Sequence, residues 1–180
     1  TFAPCKPKDR EFLAGMMETV EDIPRNAILN GLAWDWESYG EYLDSIEKLN
    51  PAINVAGLVG HCASRFYVMG ERAIEEDPTE DEIQQIAELV GNSVKEGAIG
   101  FSSNRLPGHV LPDGRSIPGT FAKTDELSAI ARAVGKNNGI LQFVLNYAKL
   151  PEEMALIAEQ GRNAGTKLLF SAPFASAKDS

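Results

Sequence analysis

The side chains in this sequence best suited to chemistry follow short apolar runs. His61 and Arg65 come after residues 53–59 (INVAGLV), in the stretch LVGHCASR. Ser102, Ser103, Arg105 and His109 come after residues 98–101 (AIGF), and Asn146, Tyr147, Ser171 and Phe174 follow two later runs. A histidine at such a place can hold a metal, act as a general base or donate to a substrate. The alternative is a strand-end histidine bonded to backbone. A metal centre needs three or four converging N, S or O ligands. His61 and Cys62 are adjacent, and in an extended chain neighbouring side chains diverge. Joint ligation is therefore not expected, and Cys62 reads as a small buried apolar residue. Arg65 and Arg105 offer the planar fork that binds carboxylates bidentately, with a surface ion pair as the alternative. Arg105 and His109 lie in a long polar loop, the kind that is functional or mobile. No Gly-rich phosphate loop, GxSxG elbow, CxxC or HExxH occurs.

These candidates need elements that present them together. Residues 53–59, 98–101, 140–145 (ILQFVL) and 167–171 (KLLFS) are short apolar runs bounded by Gly, Pro or polar residues, as strands buried on both faces are. Helical patterns lie between the later runs. One spans residues 80–96, with Thr79 as its expected N-cap; one starts at Thr124, read as its cap; one opens at Pro151 and stops at Gly161 or Gly165. Upstream, residues 1–50 read as helices and turns, with apolar stripes through Phe12, Leu13 and Met16, through Ile28 and Leu32, and through Tyr42, Leu43 and Ile46. Trp34 and Trp36 read as packing or wall residues.

Strands alternating with helices imply parallel βα units with right-handed crossovers. About four such units cannot close a (β/α)8 barrel, so the expected fold is α/β, either an open sheet or a partial barrel. We expect a helical segment over residues 1–50, βα units over residues 51–172 and a frayed tail over residues 173–180. In parallel α/β sheets the active site lies at the carboxyl ends of the strands, which is where the candidates fall.

The net charge of −9, with no clustered Lys and Arg, argues against a nucleic-acid partner. No apolar run approaches the ~20 residues of a membrane helix. Two cysteines do not make a disulfide scaffold, so a cytoplasmic chain with reduced thiols is expected. Position 1 is Thr, from which we expect a processed, truncated or partly observed chain.

Six segments, in order, resemble the N-acyl-D-amino-acid deacylase (D-aminoacylase-like) branch of the amidohydrolase superfamily. They read FAPCKPKDRE, VEDIP, GLAWDWESYGEYLDSIE, INVAGLVGHCASRFYVMGERA, GAIGFSSNR and PDGRSIPGTFAKTDELSAIARAV. The resemblance spans about residues 1 to 165. It implies a zinc-dependent (β/α)8 barrel that hydrolyses carbon–nitrogen bonds other than peptide bonds, in which a metal polarises an amide carbonyl and activates water. It also implies that His61 and Arg65 are pocket residues rather than metal ligands and that Ser102, Ser103 and Arg105 face substrate; His109, from its place in the polar loop, is expected to bind substrate beside them.

The departures are equally specific. The family's HxH pair, its Asn-Cys-Gly cysteine and its catalytic aspartate have no counterpart among these residues. Where D-aminoacylase carries histidines on two later strands, this chain has residues 142–146 and Ser171. We therefore expect an incomplete barrel that binds no metal tightly and is inactive alone. The alternatives are a non-catalytic half-barrel that self-associates as a homo-oligomer, and a binder of a small anion through Arg65, Arg105 and His109.

Overall fold

A computed structural model describes residues 2–171 of the chain. Four parallel strands form one sheet: β1 (Leu58–Gly60), β2 (Gly100–Asn104), β3 (Ile140–Val144) and β4 (Leu168–Ser171). They lie side by side in chain order, β1-β2-β3-β4. Phe101 pairs with Leu141 and Leu141 with Leu168, while Gly60 pairs with Ser102 and Ser102 with Gln142.

Helices connect the strands. α1 (Arg10–Glu21), α2 (Arg25–Gly31) and α3 (Tyr39–Lys48) precede the sheet; α4 (His61–Met69) and α5 (Glu80–Lys95) join β1 to β2; α6 (Thr124–Lys136) joins β2 to β3; α7 (Leu150–Ala164) joins β3 to β4. Several boundaries follow directly from capping chemistry. Thr79 and Glu82 form a reciprocal capping box on α5, and Ser38 and Glu41 form another on α3. Gly165, at φ +62, supplies the left-handed residue that ends α7. Thr124 is the first helical residue of α6 and Lys123 its cap, one position from the expectation.

Side-chain alternation gives the sheet two unlike faces. Val59, Phe101, Ser103, Leu141 and Phe143 are buried and face the helices, against Ile86, Val90, Leu127, Ile130 and Ile157. α5 packs on α6 and α6 on α7. The last contact is close enough that a Cβ on Gly135 would sit 1.8 Å from the Ala164 carbonyl oxygen, so only glycine fits there. Gly60, Ser102, Asn104, Gln142 and Val144 point the other way and are half-buried.

The N-terminal helices share the same core. Phe12 of α1 stacks on Phe66 of α4. Trp34 and Trp36 are packing residues, stacked on each other, and the Trp36 Nε1 donates to the Phe2 carbonyl at 2.8 Å.

Three expectations shift. The first strand spans only three residues, and Ile53 and Val55 lie outside it and exposed (75% and 49%). α4 begins at His61 with no intervening loop, where the sequence suggested a strand end. β2 runs on to Asn104, which places Ser102 and Ser103 inside the sheet and on opposite faces. The expected tail over residues 173–180, and Phe174 with it, lies outside the described residues. Among the described residues, no helix is long and apolar enough to cross a membrane.

Candidate functional site

β2 distributes its polar side chains to both faces, and two different constellations result. On the helix side, the Ser103 hydroxyl lies 2.9 Å from His61 Nδ1, and His61 Nε2 lies 2.9 Å from Glu126 Oε1. The second Glu126 oxygen accepts from Arg65 Nη1. Arg65 also donates through Nε to the Ala73 carbonyl at 3.2 Å and through Nη2 to the Glu76 carbonyl at 2.6 Å. The edge of His61 meets the Phe101 ring at 5.2 Å between centroids. The other side of the ring is closed by Gly119, where a Cβ would come within 2.7 Å of Nδ1.

The His61 and Glu126 side chains are each 1% exposed, and Ser103 is fully buried. Burial pushes the Glu126 carboxyl up, but the hydrogen bond and charge of His61, with Arg65 beside it, outweigh burial and hold it below the ordinary carboxylate range. Ser, His and Glu here have the connectivity of a nucleophile, base and orienting acid. With the hydroxyl sealed from solvent, the arrangement serves as an internal tie between β2, α4 and α6.

Helical geometry also changes the account of His61 and Cys62. They occupy the first turn of α4, so their side chains diverge by helical rotation rather than strand alternation. The Cys62 thiol lies 2.9 Å from Met16 Sδ, and burial pushes its pKa up to about 12.

On the other face, a cavity of about 210 Å³ opens at the carboxyl ends of β1, β2 and β3. Its polar wall is Ser102, Asn104 and His109; α1 supplies Met16, Met17, Val20 and Glu21; the first turn of α4 supplies residues 60–63; Ile117, Pro118 and Val144 complete it. Ser102 donates to Gln142 Oε1 on β3. The Asn104 carbonyl oxygen accepts from the Leu106 amide at 2.9 Å, which turns its NH₂ toward His109 Nδ1. His109 Nδ1 is then the acceptor, and the ring proton of the neutral form sits on Nε2.

The structure thus brings Ser102 and His109 to one cavity, with His61 reaching its wall only at the start of α4. Arg65 and Ser103 belong to the buried tie. Arg105 points to α7, where Nε donates to Glu153 at 2.8 Å and Nη1 to the Ala122 carbonyl at 3.1 Å. Both arginines expected to clamp an anion are therefore committed to carboxylates of this chain. Asn146 caps a turn through the Ala148 amide at 3.2 Å.

Glu126 was not among the sequence candidates. Its signal was present: it lies four residues before Ile130, on the core-facing side of α6, where an acid needs a buried partner. Glu153 lies four residues before Ile157 in the same way.

The zinc implied by the resemblance does not fit these side chains. Both ring nitrogens of His61 and the Nδ1 of His109 are engaged, and among the described residues no three His, Cys, Asp or Glu side chains converge. What the cavity offers is hydrogen bonding beside an apolar wall.

Four parallel strands in chain order, covered by helices, make this an α/β protein with the architecture of a partial (β/α)8 barrel. The fold matches a crystal structure of N-acyl-D-glutamate deacylase from Bordetella bronchiseptica, solved with zinc and a phosphonate inhibitor. The TM-score is 0.61 at 21% identity, covering 80% of this chain and 30% of that one. The chain is 27% identical over 128 residues to D-aminoacylase from Alcaligenes xylosoxydans xylosoxydans, covering 71% of this chain and 24% of that protein. It is 30% identical over 142 residues to an uncharacterized protein of Mycobacterium tuberculosis, covering 73% and 23%. No family model matches. The chain is a homologue of part of the N-acyl-D-amino-acid deacylases and spans about a quarter of the length of the curated relatives it matches.

Proposed function

We propose that this chain supplies consecutive βα units, with residues 1–50 as a helical cover, to a hydrolase barrel that cleaves the C–N bond of N-acyl amino acids or similar amides. The observation that carries this reading is the cavity at the strand ends, walled by Ser102, Asn104 and His109, on a sheet that matches part of a deacylase fold. Zinc is the metal of the proposed complete enzyme, and its ligands would come from outside the described residues. The 180-residue chain alone turns over no substrate. Its reduced thiols suit a cytoplasmic setting.

The test compares the isolated chain with a protein carrying the same segment and its flanking coding sequence. Both are loaded with zinc and assayed on a panel of N-acetyl amino acids. Activity confined to the longer protein is the expected result. Stoichiometric zinc with turnover by the isolated chain would refute its inactivity, and a longer protein that hydrolyses nothing would refute the hydrolase reading.

A second reading rests on the sheet edges. Among the described residues β1 and β4 each have one neighbour, and Ile53, Leu169, Val55 and Phe170 beside them are 75%, 50%, 49% and 44% exposed. Such edges favour association of two copies into a non-catalytic assembly. Light scattering of the isolated chain at twice 19.5 kDa supports it, and a stable monomer rejects it.

A further inference from the structure

A second cleft lies on another face of α1. The strand-end cavity takes Met16, Met17, Val20 and Glu21 from that helix, whereas the cleft takes Glu11, Phe12 and Gly15. Its volume is about 220 Å³. Ile74, after α4, and Leu111, in the loop that also carries His109, complete an apolar floor with Phe12.

Three charged side chains line this cleft without a partner. Arg25 lies across Gly15, where a Cβ would stand 3.5 Å from its Cδ and 3.9 Å from its Nη1. Glu11 is the neighbour of Gly15 one turn earlier on the same helix face. Glu71 joins them from the turn that follows α4. Among the described residues none of the three forms an ion pair. The Arg25 backbone amide, not its guanidinium, donates to Glu18 at 2.9 Å. The other ions of the cleft are engaged with each other: Arg115 donates to Asp113 through Nε at 2.9 Å and Nη2 at 2.7 Å. Arg65, Arg72 and Arg105 likewise each hold a carboxylate of this chain, and Arg25 does not.

We infer that the cleft binds a free amino acid with an apolar side chain, the class of product that the proposed hydrolysis releases. The ligand carboxylate faces the planar fork of Arg25. Its ammonium, with three N–H donors, faces Glu11 and Glu71. The side chain lies on Phe12, Ile74 and Leu111. A lone carboxylate or a lone amine meets only half of this charge pattern. The volume lies under the ~300–1,000 Å³ of drug-sized sites, which suits a ligand of this size. That the ligand is a reaction product rests on the amide-hydrolase reading; that it is a zwitterion rests on the cleft alone.

Racemic leucine, 4-methylpentanoate and 3-methylbutylamine share one apolar group and differ in which charges they carry. Binding of each to the 180-residue chain is measured by NMR titration at neutral pH and low salt. Leucine is expected to bind with a Kd of about 1–10 mM, as a small ligand in an open cleft does. Its shifts should centre on residues 11–15, 25, 71–74 and 111–115. Each single-charge analogue is expected to bind about fivefold more weakly. Arg25→Gln should weaken leucine and 4-methylpentanoate about fivefold and leave 3-methylbutylamine unchanged, and Glu71→Gln should do the reverse to the two analogues. Arg25 and Glu71 are exposed, so both replacements leave the core untouched, which thermal melting verifies. Equal binding of the three probes, leucine shifts centred on Ser102 and His109, or no leucine shifts at about 50 mM overturns the inference. A longer protein that hydrolyses nothing removes the link to a product but leaves the zwitterion preference standing.

Discussion

Neighbouring residues of β2 lead to opposite environments. Ser103 faces the helices and joins a sealed network of ionisable groups, with His61, Glu126 and Arg65. Ser102 and Asn104, one position to either side, face a cavity and meet Gln142 and His109. The residues with the strongest reputation for chemistry went to the interior, and the modest ones remained at the accessible face. The reason is energetic. A buried charge must be paired and hydrogen-bonded throughout, and a carboxylate held by a guanidinium and an imidazole meets that demand. Once paired it is saturated and has nothing left for a ligand. Polar groups in a half-open cavity face no such demand and keep bonding capacity.

Breaking the sealed side should have the larger consequence. Glu126→Ala leaves Arg65 and His61 buried without their acid, and we expect about 3–5 kcal/mol of lost stability in urea unfolding. A loss under about 1 kcal/mol would put the network on the same footing as a surface pair. The pH dependence sharpens the point. Because Glu126 is held below its ordinary range, its contribution is complete above the unfolded carboxyl value and disappears as pH falls through the lower folded one. The stability gap between the native chain and Glu126→Gln should therefore narrow on acidification and stay constant through neutral pH.

Gly119→Ala comes next. It forces a side chain into φ +89 against the His61 ring, and about 1–3 kcal/mol is the expected cost by the same measurement. Ser102→Ala, on the cavity side, should cost about 1 kcal/mol or less, since water can replace the hydroxyl. If Ser102→Ala destabilised as much as Glu126→Ala, the two faces would not differ in kind.

Much of this architecture was legible in the sequence. α5 announced itself through Thr79, Glu82 and its apolar stripe, and β3 and β4 through β-favouring runs closed by polar residues. α4 was hidden because it follows β1 without a loop and its cap, Gly60, carries no side chain to signal a start. β1 was overread because residues 53–56 are mostly apolar but lie outside the strand and exposed, and hydrophobicity alone does not reveal where pairing begins. The polar end of β2 was taken for loop, since sequence does not show that Ser102 and Ser103 each find a partner across a sheet.

The roles of single side chains were harder to read than the fold. The resemblance made His61 and Arg65 pocket residues, whereas in the structure both bond to Glu126 in the interior. The acid that joins them lies some sixty residues downstream, a separation of 61 positions for Arg65, and only the folded chain brings it near.

The strand order β1-β2-β3-β4 carries a consequence for assembly. Each strand pairs with the one synthesised just before it. The sheet can therefore grow by accretion as the chain emerges during translation, each new unit docking on a finished edge. Duplication, loss or grafting of a whole unit at either edge requires no rethreading of the backbone, so the same layout that lets the segment fold stepwise also leaves its length open to evolutionary recombination.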